Sequence, residues 1–511
     1  MERRYESAEE VAEGESLVQA DEPQQRPAAF HSEDVDSGDG QDSLPDNERA
    51  LTEGGESIAQ TLTNAAAALE ADPPASTGGP ESSIFPKQPT TLAEVGLSKA
   101  FLIDLTLKIM HYSGTPSAVQ LTRRLGLGRG MVQQILTAIQ EERMCEVLSQ
   151  SDLFTGNYRY RLSERGTARA SEALERTRYA GPVPVTAEQY AEVIRAQQAQ
   201  RQVPSTARIK AILDEFVLAP EVADAVARAL YSGKTTMFHG PTGNGKTSIL
   251  ERFAASFDGV ALMPYAVYIY GQVIRVFDPS IHELLEEIDD RNGAKDDAKL
   301  DRRWVLVRRP AVILGSDLGP DSMDLAYDPQ ARFYQAPPHV KAQGGVLIVD
   351  DLGRQKTGAQ ELMSRCLISM ERGWDSLNLI TGEKLTIPFD VQLLFATNKP
   401  MEQLADEALL RRILYKIEIP SPGPAEFAEI LRQLCTQRSV QTPDGAIERV
   451  VERLYRQAGE RPSAASARNL LEVVIEGASY DGREPVLDDD SFERAFRLMT
   501  SKRSAGEAAL G

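Results

Sequence analysis

One stretch of the chain has the residue types and spacing of a phosphate-binding loop. It follows a short apolar run, residues 235–239, precedes an amphipathic segment, and matches the pattern G-x-x-x-x-G-K-[S/T]. Backbone N–H groups must turn inward around a phosphate, so residues without a Cβ atom are favoured within the loop. The residues expected to bind nucleotide phosphates are Gly240, Pro241, Thr242, Gly243, Asn244, Gly245, Lys246, Thr247 and Ser248.

Two of these side chains have specific tasks in such a loop. Lys246 is expected to reach the β- and γ-phosphates, and the Thr247 hydroxyl is expected to coordinate Mg²⁺. The helix predicted to begin near Gly245 points its positive end at the anion. The full motif, between a strand and a helix, therefore predicts binding of a nucleotide such as ATP.

Polar residues at the ends of two later strands complete the predicted site. The apolar run 346–349 is typical of a buried parallel strand and ends in Asp350 and Asp351. We expect Asp350 to bind Mg²⁺ through water and Asp351 to orient or polarise an attacking water. A third strand, VQLLFATN, ends in Asn398, whose amide is placed to contact that water or the γ-phosphate.

With these strand ends in place, residues 205–505 resemble the AAA+ ATPase family. GPTGNGKT resembles its Walker A motif, VLIVDD its Walker B motif and LLFATN its sensor 1. The segment DEALLRRILYKIEIP resembles the region of the arginine finger, which implies that Arg411 or Arg412 acts on ATP held by a neighbouring subunit. PSAASARNLLEVV resembles the start of the lid helix, which implies that Arg468 is the sensor 2 arginine.

The resemblance implies an ATP-hydrolysing, Mg²⁺-dependent protein that forms a homo-oligomeric ring, expected to be a hexamer. The helix and hairpin between Walker B and sensor 1 resemble those of MoxR-like groups, whose members remodel protein clients. One departure matters: the second Walker B carboxylate is usually Glu, and Asp351 is one methylene shorter. A switch that binds ATP without hydrolysing it therefore remains an alternative.

The elements that must position these residues divide the chain into five parts. We expect an α/β core of the P-loop NTPase type over residues 207–420, with three αβα layers, and a helical lid over 421–505. A linker over 176–206 would join the core to a winged-helix-like domain over 91–175. Residues 1–90 hold 20 acidic and 5 basic side chains and few aromatic ones, and are expected to be a disordered acidic tail.

The predicted winged helix leaves two kinds of partner open. Residues 94–169 carry 10 basic and 7 acidic side chains, so the segment is only weakly basic. Binding to DNA would use Arg124, Arg129, Arg159 and Arg161 on phosphates. The other interpretation is a platform for an unknown protein client.

Charge, cysteine content and apolar runs limit the compartment and the kinds of site that the sequence predicts. The 511 residues carry a net charge of −20, of which −15 falls in residues 1–90, so the acidity says little about the folded part. Three widely spaced cysteines predict neither a disulfide framework nor a metal site. No apolar run approaches the roughly 20 residues that span a bilayer, so we expect a cytoplasmic protein without membrane contact.

Overall fold

The computed structural model describes residues 85–148, 158–199, 204–257, 259–286, 300–316, 318–457 and 462–499. Residues 1–84 of the predicted acidic tail lie outside this range. Residues 85–90 are described, and they lie along the core: the Asp301 N–H donates to the Pro86 carbonyl, and Lys87 forms an antiparallel bridge with Leu300.

The N-terminal domain consists of helices followed by a strand pair, in the order that the sequence predicts. Ser98 and Ser117 cap their helices by accepting N–H bonds, and Gly126 ends the third helix in the left-handed conformation. Apolar residues such as Leu102, Leu121 and Ile135 form the core. The elements are α1 (Leu92–Val95), α2 (Lys99–Ser113), α3 (Ala118–Leu125), α4 (Arg129–Glu141), β1 (Cys145–Leu148), β2 (Arg159–Leu162) and α5 (Glu164–Arg176).

The α/β core is built on a parallel sheet of five strands, in the order β10-β13-β16-β4-β17. Side chains alternate along β13: Val346 and Ile348 pack on one face, and Leu347 and Val349 on the other. The strands are β4 (Thr236–His239), β10 (Ala311–Leu314), β13 (Val346–Val349), β16 (Gln392–Thr397) and β17 (Tyr415–Glu418).

Helices cover both faces of this sheet, which confirms the predicted three-layer αβα arrangement. The first face packs against α7 (Thr206–Leu213), α8 (Pro220–Tyr231) and α9 (Lys246–Ala255), and the second against α11 (Ala359–Arg372). A short helix α12 (Glu407–Leu410) follows β16. Because all five strands are parallel, their carboxyl ends meet at one edge, where the predicted site residues lie.

A second group of strands, within and just before the core, was not predicted. A mixed sheet has the order β11-β12-β7-β6-β3, and an antiparallel sheet has the order β5-β9-β8. The strands are β3 (Val185–Thr186), β5 (Val260–Pro264), β6 (Ala266–Ile269), β7 (Gln272–Arg275), β8 (Leu284–Glu286), β9 (Trp304–Arg308), β11 (Ala326–Asp328) and β12 (Phe333–Gln335); α10 (Pro338–Lys341) follows.

These sheets join the N-terminal domain to the core. One face of the mixed sheet, with Ala266, Val273 and Phe333, packs into the N-terminal helices, and the opposite face packs against β9 and α6 (Ala187–Ala199). The predicted linker 176–206 therefore contains β3, which pairs with β6, and α6, which is part of a packed core.

The segment between Asp351 and Asn398 forms the predicted helix and hairpin. The strands are β14 (Trp374–Asn378) and β15 (Lys384–Pro388), which pair antiparallel. A buried polar cluster joins the hairpin to α11: Asp375, 2% exposed, contacts Arg365 and lies 2.9 Å from His339 Nε2. The hairpin is thus fixed to the helix that follows the two aspartates.

The C-terminal part, where the sequence predicts a lid, is built of helices in its described residues. It contains α13 (Pro424–Gln437), α14 (Ala446–Gln457), α15 (Ala464–Tyr480) and α16 (Asp489–Met499). Its core includes Phe427, Leu431, Val450 and Phe492, all fully buried. In the part of the chain that the structure describes, no helix has the length and apolar character needed to cross a membrane.

Candidate nucleotide-binding site

Three glycines shape the loop between β4 and α9. Gly240, Gly243 and Gly245 have φ angles of 135°, 83° and 86°, which residues with a Cβ rarely adopt. Space is also restricted, because a Cβ on Gly240 would lie 2.3 Å from the Ile419 carbonyl oxygen. The backbone conformation therefore favours glycine at all three positions, and close packing adds to that requirement at Gly240 and Gly243.

Lys246 lies beneath the loop, with 8% of its surface exposed. Its Nζ donates to the carbonyl oxygens of Gly240 and Pro241, at 2.8 Å and 2.7 Å. Burial lowers the pKa of the ammonium, and the nearby charges of Asp351 and Asp350 oppose that shift. The cation is thus held by neutral carbonyls inside the curve of the loop, with charge left to offer an anion.

The structure brings Thr247 and Asp350 together, although 103 positions separate them. The Thr247 hydroxyl donates to Asp350 Oδ2 at 2.9 Å, and the other carboxylate oxygen of Asp350 accepts from the Asp351 N–H at 2.9 Å. Strand register explains the contact, since β13 and β4 flank β16 in the same parallel sheet. The pair forms the hydroxyl–carboxylate ligand set predicted for Mg²⁺.

Asp351 has an unusual backbone, with φ at 50° in the left-handed region. Aspartate tolerates this conformation better than most residues do. The Gln355 amide donates to the carbonyl of Asp350 at 2.8 Å and to that of Asp351 at 3.3 Å. The carboxylate lines the cleft and lies 3.9 Å from the Arg354 guanidinium. Both carboxylates thus line one cleft, with Asp350 bonded to Thr247 and Asp351 near Arg354.

Asn398 also reaches the loop. Its Nδ2 donates to the Thr242 hydroxyl at 3.0 Å, and it lines the same cleft as Asp350 and Asp351. β16 places it there, because Thr397 at the end of that strand pairs with His239 at the end of β4. Sequence and structure thus agree on the three strand ends.

These side chains line a cleft of about 830 Å³. Part of the cleft wall was not predicted from the sequence. It comes from the segment before α8 and from α13: Phe216, Val217, Leu218, Ile430, Gln433, Leu434 and Gln437. The apolar run FVLAP, which leads into a helix, is the feature of the sequence that could have indicated this wall. Only the folded structure shows that the run lines the cleft. An apolar compartment beside a phosphate loop suits a flat aromatic base.

The three predicted arginines have different positions. Arg468, near the start of α15, lines the same cleft as Asn398. Arg411 and Arg412 are not among the lining residues. Arg411 pairs with Glu407 and is 75% exposed, whereas Arg412 pairs with Glu371 at the end of α11, at 3.0 Å. Within one chain, then, the structure places Arg468 at the site and leaves the other two on the surface.

The residues that line the cleft fit a nucleoside triphosphate and Mg²⁺. A cradle that a Cβ would fill, a buried ammonium bound only to carbonyls, and a hydroxyl paired with a carboxylate lie side by side in one cleft. In the described ranges, the cleft included, no group of three or more His, Cys, Asp or Glu side chains could hold a metal ion, so Mg²⁺ here would depend on Asp350, Thr247 and the phosphates themselves.

Comparison with known proteins gives few matches in sequence and many in structure. A family model described as a domain of unknown function, DUF8689, matches residues 423–498, which contain α13 to α16. The sequence shows no significant match to a curated protein.

Two solved structures are examples of the structural matches. RuvB from Thermotoga maritima, described as a Holliday junction branch migration motor, is 14% identical with a TM-score of 0.33 over 56% of this chain and 71% of that one. NtrX from Brucella abortus is 13% identical with a TM-score of 0.36 over 68% and 69%. What the cleft can do follows from its own side chains.

Proposed function

We propose that this protein is an AAA+-type ATPase that binds ATP with Mg²⁺ in the cleft and hydrolyses it. The observation that carries the proposal is the 2.9 Å hydrogen bond between Thr247 and Asp350, formed directly above a phosphate loop whose Lys246 is buried. A glycine-rich turn used only for packing would need neither the buried ammonium nor a carboxylate aimed at the first turn of the helix.

Each residue then has a task. The loop N–H groups and Lys246 bind the β- and γ-phosphates, while the positive, N-terminal end of the helix dipole of α9 favours the negative charge. Thr247 and Asp350 would hold Mg²⁺, which supplies charge neutralisation at the phosphates when bound. Asp351 accepts a proton from, or orients, the attacking water. Asn398 positions that water or the γ-phosphate.

Arg468 reaches the phosphates from the lid. It lies on the first turns of α15, and no ion pair ties it to another residue in the described part of the chain. A guanidinium near the γ-phosphate stabilises the charge that develops during phosphoryl transfer. We also propose that Arg411 and Arg412 serve the site of a neighbouring copy in a ring, since neither lines the cleft of its own chain.

The test is binding and turnover of ATP by matched variants. Lys246→Ala should lose nucleotide binding, and Asp350→Asn should lose Mg²⁺-dependent phosphate release. Lys234→Ala, an exposed lysine at the opposite end of β4, should match the wild type. Normal turnover in either site variant would refute the assignment. ATP binding without phosphate release by the wild type would instead indicate the non-hydrolysing switch.

For the partner, we propose a protein client rather than DNA. A helix-turn-helix reads DNA with the N-terminal residues of its second helix, here α4. The turn before α4 is covered: the Gln88 amide donates to the Gly126 carbonyl at 3.1 Å, and a Cβ on Gly126 would lie 2.9 Å from the Arg302 carbonyl oxygen. These contacts favour a platform that is integrated with the inserted sheets.

A DNA-binding assay over a range of salt concentrations distinguishes the two partners. The proposal expects no duplex DNA binding at physiological salt and ATPase stimulation by a protein. Binding that weakens steeply with salt and is reduced by Arg124→Ala with Arg129→Ala would support DNA instead. To capture the client, an Asp351→Asn variant can be used in the presence of ATP.

A further inference from the structure

Asn244 occupies a position that the phosphate-loop motif leaves open, yet it is 5% exposed and bonded at both ends of its amide. Its Nδ2 donates to the Ser421 hydroxyl at 3.2 Å. Its Oδ1 accepts from the Ala464 N–H at 3.2 Å. Ser421 lies between β17 and the first lid helix, and Ala464 is the first residue of α15, so one side chain of the loop contacts the lid at two places.

The loop backbone makes a third contact with the same helix. The Ala465 N–H donates to the Gly243 carbonyl at 2.8 Å. The first N–H groups of a helix have no partner within the helix and need one from outside. For the 17-residue α15, residues 243 and 244 of the phosphate loop supply two such partners. The loop thus caps the lid helix.

The junction between loop and lid is closely packed. A Cβ on Gly243 would lie 2.9 Å from both the Ala465 Cβ and the Ser463 Oγ. A shift of the loop at this point must therefore displace the start of α15, or break two hydrogen bonds. The carbonyl of Gly243 and the amide of Asn244 are therefore both engaged by the start of α15.

We propose that Asn244 is a positioning residue that ties the lid to the phosphate loop, so that occupancy of the loop and the position of α15 are coupled. The coupling rests on the proposed nucleotide binding, whereas the tie, meaning the hydrogen bonds of Asn244 to Ser421 and Ala464, does not. Coupling between two sites is reciprocal: if the tie aligns the lid for nucleotide, nucleotide must also stabilise the tie. The motif's lysine and threonine cannot serve this purpose, because both are engaged on the other side of the loop.

The first measurement is amide hydrogen exchange of residues 462–470 in the full-length protein without nucleotide. Asn244→Ala should speed exchange at the start of α15 by about 10-fold, as expected for one lost hydrogen bond that leaves the half-buried Ala464 N–H unpaired. Exchange in α16 should not change. Asn244→Asp keeps the acceptor oxygen and should retain the wild-type exchange rate. Asn469→Ala, an exposed asparagine of the same helix, is the matched control.

The second measurement repeats the exchange with saturating ADP and Mg²⁺. Wild-type protein should gain protection at residues 462–470, and Asn244→Ala should gain less at equal occupancy of the site. If Asn244→Ala exchanges like the wild type without nucleotide, the tie is refuted. If the tie is present but ADP changes exchange equally in both proteins, the coupling is refuted. If the wild type binds no nucleotide, the proposed function fails while the first measurement still stands.

Discussion

Replacing Gly243 with alanine tests how the loop and the lid share one small space. The residue has a φ of 83°, and the added methyl carbon would lie 2.9 Å from the Ala465 Cβ and the Ser463 Oγ. These contacts are shorter than carbon atoms tolerate, and both neighbours belong to the start of α15. The protein can relieve the clash only by moving the lid helix or by changing the loop conformation.

Two contributions set the magnitude. An alanine in the left-handed region costs about 1–2 kcal/mol relative to its usual conformations. Overpacking by one methyl group costs about 1–3 kcal/mol more. The native arrangement of loop and lid is therefore disfavoured by about 2–5 kcal/mol, and the lower bound alone corresponds to about a 30-fold change in an equilibrium constant. Because phosphate binding needs the native loop, this cost sets the largest loss of affinity, which is about 30-fold at the lower bound.

Gly482→Ala is the control that separates the two contributions. Gly482 follows α15, has a φ of 67°, and a Cβ there would meet nothing within 4 Å. This variant should lose about 1–2 kcal/mol of stability and none of its nucleotide affinity. Isothermal titration with ADP and Mg²⁺ measures the affinity, and thermal unfolding measures the stability. Wild-type affinity in Gly243→Ala would refute the reasoning about the shared space.

Three further changes test other parts of the molecule. Thr247→Val removes a charge-assisted hydrogen bond to Asp350 and should reduce the Mg²⁺-dependent part of ATP affinity about 10-fold or more, whereas Thr247→Ser should retain it; titrations with and without Mg²⁺ report the difference. Asp375→Asn leaves Arg365 and His339 without their carboxylate and should lower the free energy of unfolding by about 3 kcal/mol in denaturant titrations at neutral pH. Burial raises the Asp375 pKa, but the hydrogen bond and charge of His339, the Ser369 hydroxyl and the Arg365 charge together hold that pKa below its usual value. The difference in unfolding free energy between wild type and variant should therefore persist above about pH 4 and shrink as the pH falls through the folded-state pKa of Asp375. Burial raises the pKa of the Cys366 thiol to about 12, so iodoacetamide at pH 8 should leave it unmodified in native protein, and rapid alkylation detected by mass spectrometry would contradict its packed position beneath the sheet.

Local chemistry made much of the site predictable. A phosphate loop needs consecutive backbone groups, so residues 240–248 carry their signature within one short stretch of sequence. The runs before Asp350 and Asn398 are predictable for a related reason, since buried parallel strands are continuously apolar and end where polar groups can reach the sheet edge. The helix–turn–helix order and the β14–β15 hairpin followed from periodicity and turn residues.

The inserted sheets could not be predicted in the same way. Their strands are two to five residues long, and the partners lie far apart in sequence: β3 pairs with β6, and β12 pairs with β7. Such short segments carry little periodic signal, and a strand is defined by a partner that the sequence does not name. For this reason residues 176–206 resembled a linker until the pairing of Val185 with Val267 was visible.

The sequence by itself determined which residues we propose as ligands of phosphate and metal, because the ligand's chemistry dictates those residue types and spacings. Only the tertiary structure decided which of them meet. It placed Thr247 against Asp350, brought Arg468 into the cleft, left Arg411 and Arg412 on the surface, and set Asn244 against α15. Contacts between distant segments depend on strand order and on how helices pack against a sheet, and these are properties of the whole folded chain.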